Sequence, residues 1–513
     1  MRTAARPNRP HRLEIDALED RSVPAAGFVA VGTDAGPLAT VRMFADHDIN
    51  GTYETKAAEF NPFGVFKGGV RVALGDFDGD ENDELVTVTG KGTAATVKIW
   101  ELNPDGTIAG MRDSFQPFGA TFKGGLFVAA GDLNNDGRDE LAVSTGAGVA
   151  QVKIYTDLDK DGLVSDNPTD SFQPLGGLLT GARLAMGDTN NTGGDELIVA
   201  SGPGGPPMVK VYTDSDADRA VSDQAVLEQF LAYAASYRGG VFVATGEIQS
   251  VGSGGAEIIT GPGSGSPLVK IFSDLNNNGT VSDSPPPESF LAYPATMTGG
   301  VRVAAGDSDD SGTFVEVITG GGAGSGGKVT IRDDTNDPGI LLSDNPAADS
   351  FQAFASGGSF VAFGKYRTAT YASTGMPQSI PDQSTITSSI FVPAGGGIIR
   401  DLDVELSLMH SFVGDLDVTL THVPSGNSVV LFTDIGGTDE GLIIRLNDEA
   451  GTDIGTADNP ADGAISGTFN LEGAALLSAF DGLDASGEWV LTITDDTQND
   501  FGTLFGWKLD FSF

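Results

Sequence analysis

At 513 residues the chain is longer than one ordinary hydrophobic core supports, so we expect at least two domains. A formal net charge of −42 argues against nucleic acid and an acidic membrane surface as partners, because both would be repelled. The lack of cysteine excludes disulfides, thiolate zinc sites and a cysteine nucleophile. No apolar run is long enough to span a bilayer.

Residues 1–26 are predicted to be a leader or sorting segment. They begin with basic residues and lack the apolar stretch of an ordinary secretory signal. Leu13, Leu18, Arg21 and Pro24 stand in a pattern that resembles a short sorting signal of some large bacterial surface proteins. A disordered basic leader is the alternative interpretation. We expect a secreted or cell-surface bacterial protein, since millimolar calcium outside cells sustains weak calcium sites.

The most regular feature of the chain is a corner, a glycine followed by a polar residue, which ends an apolar segment six times. The corner residues are Asp76, Asp132, Asp188, Glu247, Asp307 and Lys365. The intervals between them are 56, 56, 59, 60 and 58 residues. A repeat of this period predicts an array of small supersecondary units.

Each repeat contains four apolar segments separated by turns, which predicts four short strands. In the first repeat these are Val70–Leu74, Leu85–Thr89, Thr96–Trp100 and Met111–Phe118. Four-stranded antiparallel units repeated radially are typical of a β-propeller. The sixth repeat supplies only Ser359–Phe363, and its missing strands match Phe28–Val31 and Ala39–Phe44. We therefore predict an all-β protein with a six-bladed β-propeller over residues 27–372, closed by the N-terminal segment.

The loop after the first strand of each repeat has the spacing of a calcium site. Calcium takes about six to eight oxygen ligands, which alternating Asp and Asn side chains and a later carboxylate supply within one tight loop. The candidate ligands are Asp76, Asp78, Asp80 and Glu84, then Asp132, Asn134, Asp136 and Glu140, then Asp188, Asn190 and Glu196. The third site has fewer carboxylates and should be weaker, and Lys365 cancels the sixth. The alternative is that these residues only form good turns.

A second set of acidic loops joins the third and fourth strands of three repeats. The candidate ligands are Asp157, Asp159, Asp161 and Asp166, then Asp214, Asp216, Asp218 and Asp223, then Asp274, Asn276, Asn278 and Asp283. A looser relative consists of Asp46, Asp48, Asn50 and Glu54. None has the twelfth-position glutamate or the helices of an EF-hand. Turn formation is again the alternative.

The pattern Gly-Asp-x-Asn-x-Asp-Gly-x-x-Glu-Leu, best kept in residues 131–141, resembles the FG-GAP/VCBS repeats of integrin-α-like propellers. The resemblance covers residues 28–364. It implies structural Ca²⁺ at several blade corners and a ligand-binding role on one propeller face.

After a linker at 373–378, the period-two pattern of residues 379–513 predicts a β-sandwich of the jelly-roll type. Its strands include Leu402–Leu408, Leu416–Thr421 and Trp489–Thr494. The motifs around residues 380–382, 410–418, 447–450, 480–491 and 495–509 resemble the P/Homo B domain of kexin- and furin-like proprotein convertases. In that family the domain stabilises a subtilisin-like catalytic domain, which implies serine endopeptidase activity.

The chain does not support that implied activity, because it lacks the segments that would supply a Ser/His/Asp triad. His410 and His422 stand where the strand pattern expects packing or cap residues, and Trp489 and Trp507 where it expects core residues. Loop carboxylates could hold calcium or only form turns. These are Asp415, Asp448, Asp495 and Asp500.

Three hypotheses for function follow. The first is a non-enzymatic, calcium-binding surface protein that binds a protein or glycan ligand through the propeller, with the P/Homo B module as accessory. The second is a role in proteolysis, through a partner protease or an unrecognised site. The third is a polysaccharide-active enzyme with a carboxylate pair as acid and base. We expect a monomer without nucleic-acid partners or a membrane span.

Overall fold

The computed structural model describes residues 27–45, 53, 55–80, 82–103, 106–158, 163–164, 167–248, 255–274, 280–281, 288–307, 315–332, 349–365, 368–393, 397–399, 401–448, 450–457, 463–472 and 476–513. The described residues divide into two compact units, one over residues 27–365 and one over residues 368–513. Among the described residues, no helix has the length and apolar character needed to cross a membrane.

The described residues of the first unit form 24 strands. It begins with β1 Gly27–Thr33, β2 Val41–Ala45 and β3 Thr55–Phe60. Blade 1 holds β4 Val70–Gly75, β5 Glu84–Thr89, β6 Val97–Leu102 and β7 Ile108–Phe115. Blade 2 holds β8 Leu126–Gly131, β9 Glu140–Thr145, β10 Val152–Tyr155 and β11 Asp170–Phe172. Blade 3 holds β12 Ala182–Gly187, β13 Glu196–Ser201, β14 Met208–Tyr212 and β15 Val226–Leu231. Blade 4 holds β16 Val241–Gly246, β17 Glu257–Pro262, β18 Leu268–Phe272 and β19 Glu288–Leu291. Blade 5 holds β20 Val301–Gly306, β21 Glu316–Gly321, β22 Lys328–Arg332 and β23 Asp349–Gln352, and β24 Ser359–Lys365 ends the unit.

These strands form six four-stranded antiparallel sheets that resemble propeller blades. Within blades 1 to 5 the strands pair in sequence order, as the four apolar segments of each repeat predict. The second strand of each of these blades is buried along its whole length, because Val, Ile and Leu pack against the neighbouring sheets.

Blade 6 combines the two ends of the repeat region. Strand β24 pairs with β1 from Ser359 opposite Thr33 to Lys365 opposite Gly27, and β2 and β3 complete the sheet. The prediction that N-terminal strands supply the missing part of the sixth repeat is therefore confirmed. The pairing leaves no open edge between the first and last repeats.

The first strands of the six blades are neighbours in a closed cycle, β4, β8, β12, β16, β20, β24 and again β4. We call the first strand of each blade its inner strand. The glycine at the end of each inner strand permits this close approach. A Cβ atom on Gly131 would lie 2.5 Å from Met186 Cβ and 2.3 Å from the Asp195 carboxylate of the next blade. The corner glycine is therefore needed for blade packing, apart from any turn it forms.

The second unit is a β-sandwich. Its strands are β25 Thr368–Ala372, β26 Gln378–Ile380, β27 Thr385–Val392, β28 Asp401–His410, β29 Leu416–His422, β30 Asn427–Thr433, β31 Gly441–Leu446, β32 Ala464–Phe469, β33 Gly487–Asp495 and β34 Gly502–Ser512. One sheet has the order β25-β34-β28-β31-β32 with β26 beside β34, and the other has the order β27-β33-β29-β30. Trp489 and Trp507 lie fully buried in the core between them, which confirms their predicted role.

The sequence placed residues 368–372 in the propeller and residues 373–378 in a linker. In the structure β25 pairs with β34 from Thr368 opposite Ser512 to Ala372 opposite Lys508. Residues 368–372 therefore belong to the sandwich sheet. The partner strand lies about 140 residues away along the chain, so no local pattern signals this pairing.

Candidate metal centres

The first set of acidic loops lies between the first and second strands of blades 1 to 3, at one end of the inner strands. In each loop the corner aspartate accepts hydrogen bonds from backbone N–H groups further along. Asp76 accepts from Gly79 at 2.6 Å and Asp80 at 3.2 Å. Asp132 and Asp188 accept from the fifth and sixth residues of their own loops. The corner aspartates therefore stabilise the turns of their own loops, as the turn-forming interpretation predicts.

The glutamate at the end of each loop, which we call the late glutamate, is buried and accepts a backbone N–H from the start of the same loop. These residues are Glu84, Glu140 and Glu196. One carboxylate oxygen of Glu84 accepts the Phe77 N–H at 3.0 Å, and Glu140 accepts the Leu133 N–H at 3.0 Å. Burial raises the pKa of Glu84 to about 9 and that of Glu140 to about 8. A nearby cation would favour the ionised form of both groups.

Blade 1 brings three of its predicted ligands together. Carboxylate oxygens of Asp76, Asp78 and Glu84 lie within 4.8 Å of one another and could hold a metal ion. Arg112 of β7 also reaches this loop, where it pairs with Asp78 and, at 2.9 Å, with Glu84. Asp80, the fourth predicted ligand, accepts the Asn82 N–H at 3.0 Å.

Blade 2 holds its loop with an arginine from the next blade. Arg219, in the second-set loop of blade 3, pairs with Asp136 and lies 3.4 Å from Glu140. The neighbouring Asn134 and Asp132 lie on the same loop, half-buried. In the third loop Asn190 donates its side-chain amide to Glu196 at 2.5 Å, so this loop is closed by an amide instead of a guanidinium.

The second set of loops is only partly described. Carboxylate oxygens of Asp214, Asp216 and Asp218 lie within 4.8 Å of one another and could also hold a metal ion. Asp157 and Asp274 are buried at the start of their loops, whereas Asp223 is exposed. The remaining predicted residues lie outside the described residues: Asp46, Asp48, Asn50, Glu54, Asp159, Asp161, Asp166, Asn276, Asn278 and Asp283.

Sequence reasoning missed a carboxylate that joins adjacent blades at the same corners. The residue before each late glutamate reaches the corner of the preceding blade. Asp139 accepts the Asp76 N–H at 3.1 Å and donates its own N–H to the Asp76 carbonyl at 2.7 Å. In the same way the Asp83 carboxylate accepts the Lys365 N–H at 2.8 Å, and the Asp83 N–H donates to the Lys365 carbonyl at 3.1 Å. This pair of hydrogen bonds joins blade 6 to blade 1. The repeated Asp-Glu-Leu at 83–85, 139–141 and 195–197 was the available signal.

A second link between blades holds the second-set loops. Asp170 of β11 accepts the N–H groups of Val221 and Ser222 from the loop of blade 3, at 3.0 and 2.9 Å. Glu228 of β15 accepts the Val281 N–H of blade 4 at 2.9 Å in the same way. Much of the acidity of this end therefore serves to join neighbouring blades.

Both histidines of the sandwich, His410 and His422, are buried and contact neighbouring residues of the domain. His410 is buried, with Nδ1 2.8 Å from the Phe412 carbonyl and Nε2 3.3 Å from Asp495. His422 stacks on Trp489 with the ring centroids 4.4 Å apart. Of the loop carboxylates, Asp448 accepts the N–H groups of two residues that begin a short 3₁₀ helix, 477–480, so it acts as a cap.

The first unit is thus a set of propeller-like blades with acidic corners, and the second is a β-sandwich. A family model matches part of each unit: the FG-GAP-like repeat matches residues 76–143, and the proprotein convertase P-domain matches residues 399–511. The chain therefore contains an FG-GAP-like repeat region and a proprotein convertase P-domain near its C terminus. No curated protein matches the sequence.

Several solved structures are similar at low identity. A serine protease of Aeromonas sobria is 19% identical over 28% of this chain and 26% of its own, with a TM-score of 0.18. A periplasmic gluconolactonase of Pseudomonas aeruginosa is 14% identical over 66% and 99% of the two chains, with a TM-score of 0.35. An exo-β-1,3-galactanase from Phanerochaete chrysosporium is 12% identical over 93% and 95%, with a TM-score of 0.31. This chain covers about a quarter of the length of the protease. At these identities and TM-scores, we assign no activity of these proteins to this chain.

Proposed function

We propose that this chain is a secreted or cell-surface binding protein without catalytic activity of its own. Its six blades form one calcium-stabilised propeller that presents a protein- or glycan-binding surface, and the P-domain is an accessory sandwich of the jelly-roll type. The chain acts as a monomer. Asp76, Asp78 and Glu84 would hold one calcium ion, and Asp214, Asp216 and Asp218 another.

The observation that carries the calcium part of the proposal is the burial of the late glutamates. Glu84 is 1% exposed and Glu140 is 0% exposed, and each fixes only one oxygen on a backbone N–H. An ionised carboxylate in such a position is stabilised by a cation bound in the loop, and calcium prefers oxygen ligands of this kind. In blade 1 Arg112 already supplies part of the positive charge next to Glu84. A calcium ion there would therefore bind weakly, as at sites that depend on the high calcium concentration outside cells.

Thermal melting with and without EGTA tests the calcium proposal. Binding to the native state alone stabilises it by about 2.7 kcal/mol per site at a hundredfold excess over Kd. We expect EGTA to lower the melting temperature of the wild type, and Glu84→Gln to reduce the calcium-dependent difference. The control is Glu101→Gln, which also removes a partner of Arg112 but lies outside the loop. Identical melting curves with calcium and with EGTA would contradict the proposal.

A role in proteolysis is the second candidate, and the P-domain match at residues 399–511 favours it. In that case the domain would stabilise a partner protease. Fluorogenic peptides and polysaccharides, each tested with and without calcium, distinguish the candidates. Turnover that a single Asp or Ser substitution abolishes would overturn the binding-protein proposal, whereas calcium-dependent capture of a surface ligand without turnover would support it.

A further inference from the structure

The second residue of each inner strand follows a pattern that the acidic corners do not explain. Arginine and phenylalanine alternate at this position around the six blades. In blade order the residues are Arg71, Phe127, Arg183, Phe242, Arg302 and Phe360. They lie near the start of their strands, at the end of the blades opposite the acidic corners. We call these six residues the Arg/Phe ring.

The structure brings the six side chains together as a closed ring. Every guanidinium lies over two phenylalanine rings, with distances of 4.6 to 5.2 Å to the ring centroids. The three phenylalanine centroids are 6.0 to 6.1 Å from one another. Cation–π contacts of this kind stabilise each arginine, but they supply no negative charge.

The positive charge of the ring is only partly compensated. Arg302, 8% exposed, pairs with Asp34. Arg71 donates to the Gly68 carbonyl at 3.3 Å. Arg183, 9% exposed, has no hydrogen-bond or ion-pair partner among the described residues, and its Nε and Nη1 atoms are buried. Burial and the neighbouring guanidinium groups lower the pKa of Arg183 to about 9.

We propose that the Arg/Phe ring is a binding site for an oxyanion, a sulfate, phosphate or carboxylate group, held chiefly by Arg183 and Arg71. A buried cation without a partner is costly, and an anion in contact with it removes that cost. The guanidinium fork fits the paired oxygens of these groups. Arg71 is partly exposed, so the ring is not sealed from solvent. The site is independent of the calcium loops, which lie at the other end of the inner strands.

Titration calorimetry on the whole chain tests this proposal. Inorganic sulfate, inorganic phosphate and acetate are titrated separately, without added calcium and at constant ionic strength in chloride. We expect saturable binding of one anion per chain, and at least a tenfold weaker affinity in Arg183→Met. Preference for sulfate or phosphate would identify a tetrahedral group as the ligand, and preference for acetate a carboxylate.

Arg238→Gln is the matched control, because it removes an exposed arginine from the loop before β16, at the same end of the blades. It should bind as the wild type does. Equal binding by wild type and Arg183→Met, or no saturable binding by the wild type, would overturn the proposal. Arg183→Lys, which keeps the charge without the fork, replaces Arg183→Met if the latter does not fold, and the same tenfold loss is expected.

Melting in chloride alone separates this site from simple packing. Removal of an uncompensated buried cation should leave the melting temperature of Arg183→Met unchanged or raise it, and sulfate should then add less stability than in the wild type. A large fall in melting temperature together with an unchanged effect of sulfate would show that the ring is a packed core only.

Discussion

The two units of the chain hold buried charge in opposite ways. In the sandwich Arg445 lies between two acids, 2.8 Å from Asp403 and 3.4 Å from Asp510, so opposite charges neutralise one another inside the domain. In the blades, buried groups of one sign collect at each end and are only partly paired. Arg112 and Arg219 reach two of the late glutamates at the acidic corners, and of the three arginines in the Arg/Phe ring Arg302 pairs with Asp34. A repeat copies the same residue type around a ring, so like charges accumulate at equivalent positions.

The stability of the sandwich and that of the blades should therefore depend differently on ions in solution. A sandwich that supplies its own counter-charges should have a stability that calcium and anions barely change. Blades whose buried charges are only partly paired should respond to ions at both ends. The following predictions break or sharpen that contrast, from the largest expected effect to the smallest.

Arg445→Met should break the internal neutralisation of the sandwich. It leaves Asp403 and Asp510 as uncompensated buried acids, which costs about 3 to 5 kcal/mol of the free energy of unfolding. Urea denaturation of the sandwich transition at neutral pH measures the loss. Lys56→Met, in β3 of the first unit and measured on the transition of that unit, is the control, because its exposed pair with Glu59 contributes at most about 1 kcal/mol. Equal effects of the two substitutions would refute the predicted dependence on burial.

Asp510→Asn should change how the stability of the sandwich depends on pH. Burial raises the pKa of Asp510 from 3.8 to about 6, so the folded state holds its proton more tightly than the unfolded state. This contribution is fully present below pH 3.8 and is lost as the pH rises through 6, by up to about 3 kcal/mol. The difference between wild type and variant, measured by urea denaturation from pH 3.5 to 7, should vary over this range. A constant difference would exclude Asp510 as the titrating group.

Gly131→Val should disrupt the packing of blade 2 on blade 3. Its side chain would meet Met186 and Asp195, and overpacking of this kind costs about 2 kcal/mol. Gly110→Ala is the control, because a Cβ atom there contacts nothing within 4 Å. Thermal melting of the repeat region should fall for the first variant alone. A melting temperature that both variants leave unchanged would mean that the blades do not need the corner glycine.

Asp139→Ala should have the smallest effect of the four. It removes the carboxylate that accepts the Asp76 N–H but keeps the backbone hydrogen bond in the other direction. Blades 4 and 5 already have Ala256 and Val315 at the equivalent position, and their N–H groups still bond to the preceding corner. We expect a loss of about 1 kcal/mol in chemical denaturation. A loss above that of Gly131→Val would show that the carboxylate, and not backbone pairing, joins the blades.

The sequence predicts the features that repeat at a fixed period. Four strands per unit, the acidic loops and the contribution of β1 and β2 to the sixth blade are all visible as recurring apolar segments and corners. Lys365, the corner residue of the sixth repeat, exchanges two hydrogen bonds through its backbone with Asp83 of blade 1. Periodicity succeeds here because each unit has the same local pattern.

Contacts between different repeats were not predicted, because they join residues without a shared local pattern. Arg219 reaches Glu140 from the next blade, and Asp170 holds a loop some 50 residues away. The Arg/Phe ring was missed for a different reason. Its pattern alternates between repeats, so a comparison that seeks what the repeats share discards it.

The pairing of β1 with β24 has a consequence for synthesis of the chain. Strand β1 leaves the ribosome roughly 325 residues before its partner β24, a delay of some tens of seconds at about 5 to 20 residues per second. During that interval the N-terminal strands lack their inner neighbour while blades 1 to 5 can already assemble. The closing sheet is therefore the last of the six blades to form, and until translation reaches β24 its N-terminal strands have an unpaired edge that can associate with another nascent chain.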